Sequence, residues 1–277
     1  MSAAHQFREA KATAPPSEKK TVLVTGAAGN IGSHFCRHHA DRYHLRMLDL
    51  DERVAELQSC GETIQCDLAD ATQLQRHLAG VETVLHLAGD PLPTAPWDSL
   101  LPANIIGTYN LMTSALAAGC RKVIYASSIH AVSGYASDVQ VKTSEPVNPG
   151  DLYGVSKCFG EALGRFLAEQ EKLAVIAIRI GAYQSKSSIA RDDHAGHWSL
   201  WVSPRDLDQL FVRCIDDDKL TYAIFHGISD SRFKRLDISD ARELVGYDPL
   251  DDFTDLRPDL RKLDLEEPGR TNPLPKD

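Results

Sequence analysis

The stretch Thr25-Gly26-Ala27-Ala28-Gly29-Asn30-Ile31-Gly32 follows a near-continuous apolar run, Thr21 to Val24, and precedes a helix-like segment. An apolar strand, a glycine-rich turn and a helix together make a pyrophosphate cradle. Glycine permits a tight turn and a close backbone approach to a diphosphate. The helix N-terminus then offers free N–H groups and a positive dipole end to that anion. The spacing is a variant rather than the G-x-G-x-x-G form. A strand-to-helix turn that binds no nucleotide can carry the same triplet, so the surrounding sequence decides.

A second apolar segment, His44 to Leu48, ends at Asp49, about 20 residues downstream, where a ribose-binding acid is expected. Asp49 would accept bonds from the adenosine ribose hydroxyls, and its charge would repel a 2′-phosphate. NAD is therefore expected over NADP, with Arg46 and Arg53 nearby as the features that keep NADP open.

In the second half, Asp151-Leu152-Tyr153-Gly154-Val155-Ser156-Lys157-Cys158-Phe159-Gly160-Glu161 places Tyr153 and Lys157 four residues apart, on one face of a helix. A neighbouring ammonium stabilises phenolate and lowers a tyrosine pKa from about 10, which makes a general base usable nearer neutrality. Upstream, the apolar strand Lys122 to Ala126 ends in Ser127 and Ser128. The C-terminal edge of an open parallel sheet is where ligands bind. Ser128 is expected to bond the substrate oxygen beside Tyr153, and Ser127 to be tied to backbone.

With cradle, strand-end acid, strand-end serine and Tyr/Lys pair in this order, the chain resembles the extended short-chain dehydrogenase/reductase family over roughly residues 21 to 250. The resemblance implies a doubly wound parallel Rossmann sheet (α/β) with a small C-terminal substrate cap, about 182–250. It implies NAD as cofactor, held by Gly26, Ala28, Gly29, Asn30, Ile31 and Gly32 in the cradle and by Asp49. Asp67 and Leu68 would lie at the adenine, and Leu87, Ala88, Gly89, Asn104 and Ile180 beside the cofactor. Tyr153 and Lys157 would reach its nicotinamide end. Asn104-Ile105-Ile106-Gly107, the Tyr153 segment and Arg179-Ile180-Gly181 look most like the uronate dehydrogenases, which oxidise the anomeric carbon of hexuronic acids with NAD.

By that resemblance the catalytic set is Ser128, Tyr153 and Lys157, with His130 contacting substrate hydroxyls. A uronate carboxylate needs a cation, preferably an arginine fork. Arg191, between Tyr183 and Trp198 near His194 and His197, is the candidate, with Lys186 as the alternative. Two substrate positions depart from the pattern: Pro91 stands where a serine is expected, and Ile129 where an asparagine is expected. Losing one such polar partner costs about 1–3 kcal/mol, enough to change the preferred sugar without removing the dehydrogenase machinery. Two other functions share parts of the pattern. One is a nucleotide-sugar epimerase or dehydratase that retains NAD through turnover; the other is a noncatalytic NAD-sensing regulator, which usually sacrifices Tyr or Lys.

At 277 residues, with 43% hydrophobic and 25% charged residues, the chain has the composition of a globular protein with one large domain. A formal charge of −9 argues against a nucleic-acid surface. No stretch approaches the ~18 apolar residues of a membrane span. Residues 1–20 have no apolar centre and read as a disordered extension, and residues 251–277 as a charged tail. Six cysteines without a C-x-x-C pair fit reduced thiols in the cytoplasm, and Cys158 reads as core. His34 and His38 form an i, i+4 pair, but no acid-rich motif completes a metal site, so none is expected.

Strands are expected at Thr21–Thr25, His44–Asp49, Thr63–Asp67, Thr83–Leu87, Lys122–Ser127 and Ala174–Ile180. Helices are expected near 31–41, 70–79, 98–118 and 153–171. A helix near Pro204–Asp216, a strand near Leu220–His226 and a helix near Ile238–Val245 would build the cap. Ile105, Leu111, Phe159 and Phe166 mark apolar helix faces whose family equivalents form a homodimer contact.

Overall fold

The computed structural model describes residues 19–191 and 198–257. The expected N-terminal extension, apart from Lys19 and Lys20, lies outside the described residues, as do His194, His197 and the tail beyond residue 257.

Alternation of strand and helix produces one parallel sheet. Its strands are β1 Thr21–Thr25, β2 His44–Asp49, β3 Gly61–Gln65, β4 Thr83–His86, β5 Lys122–Ser128, β6 Ala174–Ile180 and β9 Tyr222–Gly227. They run in the order β3-β2-β1-β4-β5-β6-β9, and every pairing is parallel. A parallel sheet is covered on both faces, so its central strands are mainly apolar, and only the edge strand β3 is largely exposed. All of β5 is buried, its two serines included. On one face lie α1 Asn30–His39 and α7 Pro204–Asp216, where Phe35 meets Phe211 edge-on. The other face carries α2 Ala71–His77, α4 Gly107–Ala117 and α5 Leu152–Gln170, packed through Leu74, Met112 and Leu167.

Two elements expected in the cap belong instead to these layers. The strand near Leu220–His226 is β9, the sheet's seventh strand, in register with β6 from Val175↔Tyr222 to Ile180↔Gly227. Its Ala223 and Phe225 are core residues. The helix Pro204–Asp216 buries Leu207, Leu210, Phe211, Cys214 and Ile215, one continuous helical stripe, in the same core as Phe35. Outside the layers stand the two-residue strands β7 Ala182–Tyr183 and β8 Trp201–Val202 and the helices α6 Lys186–Ile189, α8 Ser239–Val245 and α9 Phe253–Leu256. Ile189, Trp201 and Phe253 form a small core between α6, β8 and α9, whereas α8 packs Ala241 into the same core as α7.

The helix expected over 98–118 is continuous in direction but not in type. It begins as α3 Trp97–Leu100, passes through a π-helical turn, Leu101–Ile106, and continues as α4. Pro102 has no N–H to give, and such wide turns gather at functional sites. Leu111, expected on an exposed face, is fully buried in the molecule's own core. The exposed apolar residues of this region and of α5 are Trp97, Ile106, Tyr109, Leu152, Val155 and Phe166.

Glycines seat α5 directly on the sheet. A Cβ at Gly160 would lie 2.2 Å from the Tyr125 ring, at Gly164 2.6 Å from Val175 and at Gly154 2.3 Å from the His130 carbonyl oxygen. A buried ion pair fixes the same contact: Arg179 on β6 donates Nε and Nη2 to the two oxygens of Glu161 on α5, each at 2.9 Å. Ser127 joins this pair and is not tied to backbone as expected. Its Oγ donates to Glu161 Oε1 at 2.6 Å, because the strand's alternation points it at the helix.

Candidate active site

Strand order reverses between β1 and β4, and a cavity of about 790 Å³ opens there at the strands' C-terminal ends. The glycine turn forms its floor. Gly26 has φ +67°, and a Cβ there would meet Ala88 N at 2.7 Å. Gly32 needs no unusual φ, yet its Cβ would fall 2.3 Å from Gly26 O. Gly29 is the N-cap of α1 and supplies no side-chain cap, which leaves first-turn N–H groups for an anion. These residues fit a dinucleotide pyrophosphate.

Asp49 ends β2 on the cavity wall, with Oδ2 accepting from Ala28 N at 2.8 Å and Oδ1 from Asp51 N at 3.0 Å. Of the two arginines that kept a 2′-phosphate open, Arg46 is engaged away from the cavity, whereas Arg53 is one of its lining residues. Arg46 pairs with Glu62 at 2.9 Å and donates to the carbonyls of His77 and Ala79. Arg53 forks onto Asp51. Ala28, Asn30, Ile31, Asp67, Leu68, Leu87, Ala88 and Gly89 all line the cavity. His86, fully buried beneath Leu87, ties β4 to Thr25 and Thr108 through its two ring nitrogens, and burial lowers its pKa to about 3. It is therefore a neutral strut at neutral pH.

Asn104, in the π-helical turn, is not among the lining residues. Its amide spans the Asp90 backbone, accepting from N at 2.7 Å and donating to O at 3.1 Å, and also donates to Ser156 Oγ on α5. It therefore latches the Gly89–Asp90 turn to the catalytic helix. Ile180 lies beside the site as the β6 partner of Ser128 and is also not a lining residue.

Tyr153 and Lys157 face inward from the first turns of α5, both buried. Asp151 caps that helix, Oδ1 accepting from Gly154 N at 2.7 Å. Lys157 Nζ donates to Ala126 O at 2.9 Å and stands 5.5 Å from the Tyr153 ring centre. Burial lowers the lysine to about 8. Tyr153 does not have the lowered pKa expected from its neighbour. Burial raises it, and the Ser128 hydroxyl, hydrogen-bonded to it, pulls it down. The ammonium is committed to a carbonyl, and desolvation of the phenolate outweighs it.

Ser128 ends β5 and caps the 3-10 turn Ile129–Val132, with Oγ accepting from His130 N at 3.2 Å. The His130 ring lies edge-on to Tyr153, 5.5 Å between centres, and its Nδ1 is 2.6 Å from Asp151 Oδ2. Asp151 thus joins the helix cap to the histidine, a role not anticipated although Asp before a helix is a cap signal. Asp90 and Ser99, bonded to each other at 2.5 Å, are further polar wall residues that sequence reading missed. Pro91 lines the cavity, whereas Ile129 packs against the core.

Arg191 follows α6, exposed, with Nε donating to Ser187 O at 3.0 Å, and is not among the lining residues. The alternative, Lys186, is neutralised by Asp251 at 2.6 Å. Cys158 is half-buried, and burial pushes its thiol up to about 11.

The fold and the cavity define a dinucleotide-binding protein of the Rossmann class with a serine, tyrosine and lysine at the sheet edge. The chain belongs to the NAD dependent epimerase/dehydratase family, whose sequence profile matches residues 22–202. It is 36% identical over 259 residues to an NAD-dependent glucose-6-phosphate dehydrogenase of Haloferax volcanii, covering 88% of this chain and 98% of that protein. It is also similar to the crystal structure of a glucuronic acid dehydrogenase from Chromohalobacter salexigens, with a TM-score of 0.79 at 30% identity, covering 92% and 91% of the two chains. A mutant uronate dehydrogenase from Agrobacterium tumefaciens complexed with NAD matches with a TM-score of 0.77 at 29% identity, covering 88% and 89%.

Proposed function

We propose that the protein is an NAD-dependent sugar dehydrogenase that oxidises the anomeric carbon of a hexuronate, glucuronate or galacturonate, to a lactone. The observation that carries this reading is the meeting of Ser128, Tyr153 and Lys157 directly behind the Gly89 and Ala126 wall of the glycine-floored cavity, although none of these three, nor His130, is a lining residue. The cradle from Gly26 to Gly32 and the Asp49 carboxylate would hold the dinucleotide, with Asp67 and Leu68 at its adenine and Leu87 to Gly89 along it. Bound NAD supplies the hydride acceptor.

The chain's own residues handle the proton and the geometry. Ser128 Oγ orients the C1 hydroxyl, and Tyr153 takes its proton as the phenolate, the form that the Ser128 hydrogen bond and the nearby Lys157 charge favour against burial. Lys157 holds positive charge within 5.5 Å of that ring. Asn104 sets the turn that faces the lysine, since a Cβ on Gly89 would lie 2.9 Å from its Oδ1 and 3.6 Å from Lys157 Nζ. His130, braced by Asp151, contacts ring hydroxyls, and Arg191 binds the carboxylate.

A second reading, oxidation of a sugar phosphate, is favoured by the glucose-6-phosphate dehydrogenase that this chain covers almost end to end. NADH formation at 340 nm against glucuronate, galacturonate, glucose 6-phosphate and neutral hexoses separates the two. Activity with uronates is expected, and activity with glucose 6-phosphate alone would transfer the assignment. Arg191→Ala is expected to raise KM for a uronate about tenfold or more through loss of a charged hydrogen bond. Equal effects on uronate and neutral sugar would sink the Arg191 role. The reading includes a homodimer through α4 and α5, supported by exposed Tyr109, Val155 and Phe166. It also includes a cytoplasmic site of action, supported by six free thiols. Among the described residues no helix is long and apolar enough to cross a membrane.

A further inference from the structure

The last turns of α1, at the end of the helix opposite the glycine cradle, carry a side-chain cluster that the proposed chemistry does not use. His34 and His38 stand four residues apart on one face of the helix. The third partner, absent from the local sequence, comes from α7: His34, His38 and Asp208 each present a ligand atom, all within 4.8 Å of one another. His34 Nε2 is 3.3 Å from Asp208 Oδ2. A tetrahedral ion with bonds of about 2.0–2.1 Å holds neighbouring donors roughly 3.3 Å apart.

The donors are also in a suitable chemical state. His38 Nδ1 lies 2.8 Å from the His34 carbonyl oxygen. A carbonyl only accepts, so Nδ1 carries the hydrogen and Nε2 keeps its lone pair, the arrangement in which a backbone oxygen orients a metal-binding histidine. Asp208 is only 7% exposed, and among the described residues no lysine or arginine pairs with it. A buried carboxylate without a cation is costly. His39 Nε2 lies 3.3 Å from the same Oδ2, yet it is buried and makes no hydrogen bond. The negative end of the α1 dipole favours a cation at this position. Cys36, two positions from each histidine and so on the opposite face of α1, is fully buried and outside the donor set.

We propose that His34, His38 and Asp208 bind one divalent transition-metal ion of the zinc class, with water as the fourth ligand, and that the ion pins α1 to α7. The ion would brace the helix whose other end forms the cradle. It takes no part in the proton chemistry about Tyr153, so the proposal stands whether or not the sugar assignment does.

The test uses the full-length, tag-free protein stripped with a chelator and titrated with Zn²⁺ by calorimetry. One equivalent is expected to bind and raise the thermal unfolding midpoint, with only nitrogen and oxygen neighbours in the zinc X-ray absorption spectrum. His38→Ala, at an exposed position, is expected to weaken binding more than about tenfold and abolish the midpoint shift. Asp208→Asn is expected to do the same. Less than one equivalent bound, sulfur in the first coordination shell, or affinity unchanged in both variants would overturn the proposal.

Discussion

The two ends of the cavity are built from different materials. At the cofactor end the shape is set by backbone: a left-handed Gly26, a Gly32 pressed on the Gly26 carbonyl, and an uncapped helix N-terminus. At the proposed substrate end it is set by side chains, with Asp90 bonded to Ser99 on the wall and His130 braced by Asp151 behind it. Backbone shape tolerates little change, because a single Cβ collides with main chain. Side-chain shape can be altered one residue at a time. Cofactor use is therefore the conservative half of the molecule, and sugar choice the adjustable half.

That division can be tested by substitution. The largest effect belongs to the chemistry lying between the halves: Tyr153→Phe is expected to lower turnover about 10²–10⁴-fold while NAD affinity, read by calorimetry, stays within about twofold. Retained turnover would remove Tyr153 as the base. Next, Gly32→Ala is expected to weaken NAD binding more than about tenfold, because the added methyl meets a carbonyl 2.3 Å away and the first turn of α1 must shift. Its KM for sugar, at saturating NAD, should change little. The smallest effect is expected for Asp151→Asn, which can still cap α5 but loses the charge facing His130. A severalfold rise in sugar KM with little change in kcat or NAD affinity would mark Asp151 as a positioning residue of the substrate half. Weakened NAD binding in that variant would break the comparison.

The same contrast explains what the sequence disclosed. Cradle, strand-end acid and the Tyr/Lys pair are local patterns in which spacing along the chain becomes spacing in the fold; the cradle and the acid line one cavity, and the Tyr/Lys pair stands behind its wall. The partners of Ser127 were not legible, since Glu161 and Arg179 lie 34 and 52 positions away and meet it only when β5, α5 and β6 assemble. The place of β9 was hidden for a related reason. A short apolar strand reads alike in a cap or at a sheet edge, and only pairing with β6 decides. The tyrosine's raised pKa was missed because helical spacing places the ammonium nearby, whereas burial of the phenol depends on the whole fold.

The glycine seat of α5 has one more consequence. Because Gly154, Gly160 and Gly164 let the helix backbone rest on the His130 carbonyl, the Tyr125 ring and the Val175 side chain with no side chain of their own between, the reach from Tyr153 to Ser128 is gauged by the α5 main chain. Loops at the cavity mouth can be exchanged while that gauge keeps its setting. On that gauge the preferred sugar could change without altering how the proton is taken.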